Sequence, residues 1–363
     1  MSEQENRRTA CGKGILFLNT HQATSGIISG SALPREYVLT CKFLGCGVID
    51  RTSTLNQGFD YVVLDPIPAP VKDGCTFEDI CDAIGTEIVS EALESKRRIS
   101  VLWSGGIDST TALIAIMKAA EAQDQHDLVE ILLSIDSINE YPKFYLDHID
   151  NKYCVKSITH PISDFLNPDS LTVTGEHGDQ LFGNYLLQPY VHTGAAQLDY
   201  QDVLPLVITE RLGSAKNSNR VMRFLEPQIA TAPLPILTLF DCMWWLNFSL
   251  KWQQVTLRLP VFCKERVREI YESLHHFFRD PRFQSWSLGN RAVRFTPVWE
   301  LYKHVAKQYI LEFTGDVNYF LYKEKEASLK NVMISPEAKR ENHFEVFMRE
   351  DFHPIFTLVE RRH

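Results

Sequence analysis

Apolar and polar residues follow two different periods in the central part of the chain. Short apolar runs are separated by segments whose apolar residues recur at helical spacing, at residues 108–122 and 139–150. Buried strands that alternate with helices are typical of a parallel sheet covered on both faces. The pattern therefore predicts an α/β fold with a doubly wound parallel sheet, whose strands include ISVLW (99–103), EILLSIDS (130–137), CVKSITH (154–160) and SLTVTG (170–175).

The residues before this region have a different pattern. Short apolar runs broken by turn residues predict strands at GILFLN (14–19), EYVLTCKF (36–43) and DYVVLDP (60–66). A proline-rich segment and a helix from Thr76 to Glu94 follow, and after about Gln180 the pattern is mostly helical. We therefore predict a small β-rich domain at residues 1–75 and a second domain at residues 76–363 with a mostly helical C-terminal part.

Length and composition are those of an ordinary globular enzyme. The 363 residues, 44% hydrophobic and 23% charged, suit about two domains. The net charge of -9 argues against nucleic acid as the partner, although a local basic patch is possible. There is no apolar run of about 18 residues, and the polar N-terminus lacks a signal-peptide core. Eight cysteines without zinc-ribbon spacing favour reduced thiols, so we expect a cytoplasmic protein outside the membrane.

A small, polar loop follows the first of the central strands. Two glycines remove the Cβ atoms that would keep an anion from the backbone N–H groups, and the next helix directs its positive N-terminus to the same place. Asp108 repels a phosphate unless a magnesium ion lies between them, since magnesium binds both carboxylate and phosphate oxygens. The sequence therefore predicts a magnesium–phosphate site at this edge of the sheet, with ligands from Ser104, Gly105, Gly106, Asp108, Ser109 and Thr110.

Other phosphate-binding motifs do not fit this loop. It lacks the lysine of the Walker motif and the third glycine of the dinucleotide fingerprint. A pair of glycines that simply opens a capped helix is the structural alternative. The serine before the glycines, the Asp-Ser pair after them and the buried strand leading in all favour an anion site.

Two motifs together resemble one enzyme superfamily. The sequence SGGIDS (104–109) resembles the pyrophosphate-binding loop of the ATP pyrophosphatases, also called N-type adenine nucleotide alpha hydrolases. The sequence TGEHGDQLFG (174–183) is similar to the SGEGxDExFGG segment of asparagine synthetases and beta-lactam synthetases. The resemblance extends over about residues 95–330 and implies an adenine nucleotide alpha hydrolase fold.

Weaker similarities occur later in the chain. LRLPVFCKERVREIYESL (257–274) is similar to the family's R-x-P-F-x-D segment and the helix that follows it. The segment YKEKE (322–326) resembles the one that delivers the family's catalytic lysine to the alpha phosphate. Aligned by the preceding aromatic residue, Lys325 takes the catalytic place, with Lys323 as the alternative.

The resemblance implies a two-step reaction with ATP and Mg²⁺. A carboxylate attacks the alpha phosphorus to give an acyl-adenylate and pyrophosphate, and an amine then displaces AMP and forms an amide. Residues 104–110 would hold the pyrophosphate, and Asp108 and Asp179 would bind magnesium. Glu176 would assist the amine step. The adenine and ribose would be lined by Leu102, Ile135, Thr174 and Gly175.

The chain also departs from the family pattern. His177 replaces a glycine and Gln180 replaces an acidic residue, which reduces the charge near the metal. About 85 residues precede the synthetase-like part, too few for the family's glutaminase domain. We therefore expect free ammonia or an amine, rather than glutamine, as the partner of a small-molecule or peptide carboxylate.

The sequence leaves two other functions as alternatives. The first is an ATP pyrophosphatase that adenylates a base or a tRNA, which the GEHGDQLFG pattern and the lack of a paired catalytic CxxC argue against. The second is a nucleotide-binding protein without catalysis, which the presence of Asp108, Asp179 and Lys325 argues against.

Overall fold

The chain forms two compact units, each assembled from separate stretches of sequence. Unit 1 contains residues 1–67, 189–268 and 336–363, and unit 2 contains residues 68–188 and 269–335. The boundary predicted near residue 75 differs from this grouping, because periodicity reports local elements and not which distant segments pack together. The computed structural model describes residues 14–18, 20–28, 31–72, 74–159, 161–183, 185–295, 297–324, 344–348 and 354–358.

Unit 2 is built on a five-stranded, all-parallel sheet. In chain order its strands are Arg98–Leu102, Val129–Leu133, Cys154–Ser157, Ser170–Thr174 and Leu274–His276. In space the order is third, second, first, fourth, fifth, as in Rossmann-like folds. This confirms the predicted α/β class and parallel sheet. The fifth strand escaped prediction because it has only three residues and two of them are histidines.

Helices connect these strands. The helix after the first strand begins directly behind the predicted loop, and the predicted helix at 139–150 is replaced by short pieces around Pro142. Thr76 and Asp79 form a reciprocal capping box at the start of the longest helix. The described helices of unit 2 are Phe77–Ser95, Ile107–Ala122, Ile135–Glu140, Pro142–Phe144, the π-turn Tyr145–Ile149, Gly178–Phe182, Pro281–Gly289, Arg291–Arg294, His304–Thr314 and Val317–Tyr322.

Unit 1 is mainly helical. Every residue of the helix Leu239–Leu250 is buried, so its aromatic side chains form core. A three-stranded antiparallel sheet pairs Ile15–Phe17 and Pro354–Leu358 with Phe344–Met348, and Ile27–Ile28 pairs with Ser31–Ala32. The other helices of this unit are Thr20–Ser25, Arg35–Leu44, Tyr200–Leu212, Ala215–Ile229 and Trp252–Leu257; Gln188–His192 and Val267–Ser273 run across the sequence boundaries between the units.

The β-rich character predicted for the N-terminal region is wrong in two of three places. EYVLTCKF lies in the helix Arg35–Leu44, and DYVVLDP has no strand among its residues. The helix buries Tyr37, Cys41 and Leu44, whose spacing of four and three residues suits one helical face. Only GILFLN contains a strand as predicted. In the part of the chain that the structure describes, no helix is both long and apolar enough to span a bilayer.

Candidate functional site

The predicted loop and the acidic turn follow neighbouring strands where the direction of strand addition reverses. From the first strand the chain adds two strands on one side of the sheet and then returns to place the fourth on the other side. Leu102 is level with Thr174 across this pair of strands. Residues 104–109 and 175–179 therefore emerge side by side at the carboxyl edge, where open parallel sheets bind ligands.

Glycine and serine shape the loop after the first strand. Gly105 has φ +78°, and a Cβ there would lie 2.5 Å from the Ser137 carbonyl oxygen, so a side chain is excluded. The Ser104 N–H donates to Ser109 Oγ at 3.0 Å, and the two serine hydroxyls are 2.8 Å apart. Gly106 then begins the helix Ile107–Ala122. The turn is held by its own side chains, and its helix N-terminus faces the site.

The two turns approach each other at their backbones. A Cβ on Gly175 would lie 2.5 Å from the Ser109 nitrogen and 2.7 Å from the Asp108 carbonyl carbon. A Cβ on Gly178 would overlap the Asp108 carboxylate. The acidic turn thus packs directly on the phosphate-type loop: a Cβ on Gly175 would meet backbone atoms, and a Cβ on Gly178 would displace the Asp108 carboxylate.

Gly175→Ala is expected to lower the free energy of unfolding by about 3 kcal/mol, because backbone atoms on the facing turn cannot move aside as a flexible side chain does. Urea denaturation measures the change. Gly74→Ala is the matched control, since a Cβ there meets only a Val71 methyl group at 3.0 Å. It should cost no more than about 0.5 kcal/mol. Equal losses in the two variants would contradict the close approach.

Asp108 and Asp179 meet at one buried cation, the ammonium of Lys303. Its Nζ lies 2.5 Å from Asp108 Oδ2 and 2.7 Å from Asp179 Oδ1. The Lys303 side chain is 2% exposed, against 21% and 30% for the two carboxylates. Lys303 has φ 56° and precedes the helix His304–Thr314, so a left-handed residue directs the chain into this contact. Lys303 belongs to none of the motifs found in the sequence.

The two carboxylates favour the charged form of Lys303. Burial lowers the pKa of Lys303, but the charges and hydrogen bonds of Asp108 and Asp179 outweigh it, and the net shift is upward. The neighbouring Tyr302 hydroxyl donates to Asp179 Oδ1 at 3.3 Å and to the Gly183 carbonyl. Burial, followed by the two carboxylates, raises the pKa of Tyr302 well above its ordinary value. The site therefore combines a fixed ammonium with a neutral hydroxyl donor.

A second buried ion pair lies beside the loop. Lys323 Nζ is 3.0 Å from Glu140 Oε1, with exposed fractions of 7% and 2% for the two side chains. The pocket between the pairs has a volume of about 80 Å³ and is lined by Ser104, Gly106, Ile107, Asp108, Ser109, Glu140, Lys303 and Glu324. Typical small-molecule sites measure roughly 300–1,000 Å³. A pocket of this volume suits a group of about the size of one phosphate.

Four of the predicted ligand residues line this pocket: Ser104, Gly106, Asp108 and Ser109. Gly105 and Gly175 do not line the pocket but lie against Glu140 and Ser109, which do. Thr110 does not line it, because its hydroxyl is fully buried and accepts a hydrogen bond from Trp103 Nε1 at 3.0 Å. Sequence alone could not show that the helix turns this hydroxyl inward.

The residues predicted to line adenine and ribose lie elsewhere along the edge. Ile135 is not on the second strand as predicted but begins the helix Ile135–Glu140, capped by Ser134, and is 67% exposed. Leu102 is buried at the end of its strand. Thr174 Oγ1 lies 2.7 Å from His276 Nδ1. None of these residues lines the pocket beside the loop.

Glu176, His177 and Gln180, which the sequence also singles out, do not line the pocket either. Glu176 is partly exposed, and its N–H donates to Thr174 Oγ1 at 3.3 Å. His177 has φ 74°, a conformation natural for the glycine it replaces, and its buried ring contacts His276 edge-on at 5.4 Å. Gln180 is buried. Lys325, the predicted catalytic lysine, lies outside the described residues, while Lys323 contacts Glu140.

Comparison with known proteins gives no assignment: no protein-family profile matches the chain, and no curated protein is significantly similar to it in sequence.

Proposed function

We propose that the protein is an ATP-dependent, AMP-forming ligase that adenylates a carboxylate, releases pyrophosphate and transfers the acyl group to ammonia or an amine. The observation that carries the proposal is the meeting of Asp108 and Asp179 on one buried cation beside a glycine-shaped anion loop. The order and sequence of the two motifs, which resemble those of asparagine synthetases and beta-lactam synthetases, support the same reading.

Asp108 and Asp179 fit a magnesium ion that arrives with the nucleotide. Both carboxylates reach the same ammonium, so their oxygens are close enough to bind one cation. Within the described residues, no group of three or more His, Cys, Asp or Glu is placed to hold a metal by itself. Phosphate oxygens and water would complete the coordination that magnesium prefers. When bound, magnesium offsets negative charge on the pyrophosphate.

The chain's own residues would bind and orient the polyphosphate. Ser104, Gly106 and Ser109 line the pocket at the N-terminus of the helix Ile107–Ala122, and their hydroxyl and backbone N–H groups would exchange hydrogen bonds within the loop for bonds to phosphate oxygens. Lys303 adds a positive charge that is fixed before the reaction starts, and such preorganised charge stabilises a leaving anion. Lys325 at the alpha phosphate and Glu176 at the amine step remain the roles implied by the resemblance.

A protein that binds a phosphate group without catalysis is the second candidate. The small pocket volume and the Lys303 ammonium favour it, because the ammonium already occupies the place between the two carboxylates and the pocket holds little more than one phosphate group. The same site would then serve assembly or regulation and not adenylation.

Carboxylate-dependent exchange of labelled pyrophosphate into ATP separates the two candidates. We expect exchange in the presence of Mg²⁺ with at least one member of a panel of amino-acid and dicarboxylic acids, and AMP formation once an amine is added. Pyrophosphate binding without exchange across the whole panel would favour the non-catalytic candidate. Absence of both binding and exchange would remove both candidates.

A further inference from the structure

Glu140 places a buried carboxylate directly over the anion loop. A Cβ on Gly105 would lie 2.9 Å from Glu140 Cβ, and a Cβ on Gly106 would lie 3.2 Å from Glu140 Oε1. The Glu140 side chain is 2% exposed and lines the same pocket as Ser104 and Ser109. Its Oε2 has no hydrogen-bond partner among the described residues. An acid thus occupies the side of the pocket that the glycines open.

A carboxylate at this place opposes the function of the loop. Two negative charges a few ångströms apart in a partly buried site repel each other strongly, because little solvent screens them. Lys323, 3.0 Å from Glu140 Oε1, compensates that charge in the ligand-free protein. A bare polyphosphate gains the attraction of Lys323 but meets the repulsion of Glu140. A polyphosphate that carries a divalent cation brings positive charge of its own to Glu140.

We propose that Glu140 is a specificity-determining residue that makes the loop selective for a magnesium-complexed polyphosphate over the free anion. Lys323 sets the strength of the discrimination, because it shares its charge between Glu140 and the entering phosphate. This inference rests on the proposed function, since it takes the loop as the place where the phosphates of ATP bind.

The test is calorimetric titration of inorganic pyrophosphate into the full-length protein, once with excess EDTA and once with saturating Mg²⁺. The wild type should bind at least about tenfold more tightly with Mg²⁺. Glu140→Gln should tighten binding in EDTA by about tenfold and so lower the ratio of the dissociation constant in EDTA to that in Mg²⁺ by about tenfold, leaving only the preference that Asp108 and Asp179 supply. Lys323→Met should weaken binding in EDTA and increase that ratio. Asp136→Asn removes an exposed carboxylate from the same helix and should leave both constants unchanged.

The opposite signs of the two charge variants separate this role from a structural one. If Glu140 only supported the loop, Glu140→Gln would weaken binding in both solutions, and the proposal would be overturned. An unchanged ratio in Glu140→Gln would also overturn it, while leaving the proposed ligase intact. Failure of the wild type to bind pyrophosphate in either solution would instead remove the phosphate site, and with it both proposals. Thermal melting of each variant checks that it is folded.

Discussion

Lys303→Met is expected to lower the free energy of unfolding by about 3 kcal/mol at neutral pH, because it leaves two carboxylates facing each other without their shared cation. The loss lies at the low end for broken buried ion pairs, because the Asp108 and Asp179 side chains are 21% and 30% exposed. Urea denaturation measures it. Lys96→Met is the matched control: Lys96 is also left-handed, with φ 54°, but is exposed. The control should change stability by less than about 0.5 kcal/mol.

The pH dependence of this loss has a definite sign. The pKa of Lys303 is raised in the folded protein, so its contribution is complete below the ordinary lysine pKa and is lost as the pH rises through the elevated one. Wild type and Lys303→Met should therefore converge in stability in strongly alkaline solution. A difference that stayed constant from neutral to strongly alkaline pH would contradict the ion-pair explanation.

A double variant separates charge from packing. Adding Asp179→Asn to Lys303→Met removes one of the two facing charges and should restore about half of the lost stability, because the remaining carboxylate no longer has a like-charged neighbour. If the double variant were as unstable as the sum of the single changes, the Lys303 effect would come from packing of its side chain alone.

The sheet of unit 2 could be predicted largely because its first, second and fourth strands are buried along most of their length, although the residues of Cys154–Ser157 are exposed. The first strand and the helix Ile107–Ala122 follow the predicted bounds within a residue or two. The prediction of secondary structure failed where the spacing of apolar residues fitted both a strand and a helix. The helix Arg35–Leu44 contains β-branched and aromatic residues that suit a strand equally well, and tertiary packing decided between them.

The parts of the candidate site that could be predicted are those formed by short, continuous stretches of sequence. The loop at residues 104–109 and the turn at residues 175–179 each carry a recognisable motif, and the parallel sheet brings their ends together. Lys303 and Glu140 carry no such signal. Lys303 is 124 residues from Asp179, and Glu140 closes an ordinary short helix, so only the fold reveals their contacts with the two motifs.

Asp108→Asn is expected to reduce pyrophosphate exchange by about a thousandfold while the protein stays folded, since the amide keeps the shape of the carboxylate and removes the charge that would hold magnesium. The initial rate of carboxylate-dependent exchange at saturating ATP measures the loss, and circular dichroism monitors the fold. Asp179→Asn should behave similarly, because both carboxylates contact the same cation.

Glu121→Gln is the control for this change, because it removes an exposed carboxylate near the opposite end of the helix Ile107–Ala122 that carries Asp108. Its exchange rate should equal that of the wild type within about twofold, the range expected for a distant, screened charge. If Asp108→Asn retained exchange within tenfold of the control at saturating Mg²⁺, adenylation would have to occur away from the Asp108–Lys303–Asp179 cluster. The ligase proposal would then lose the observation that carries it.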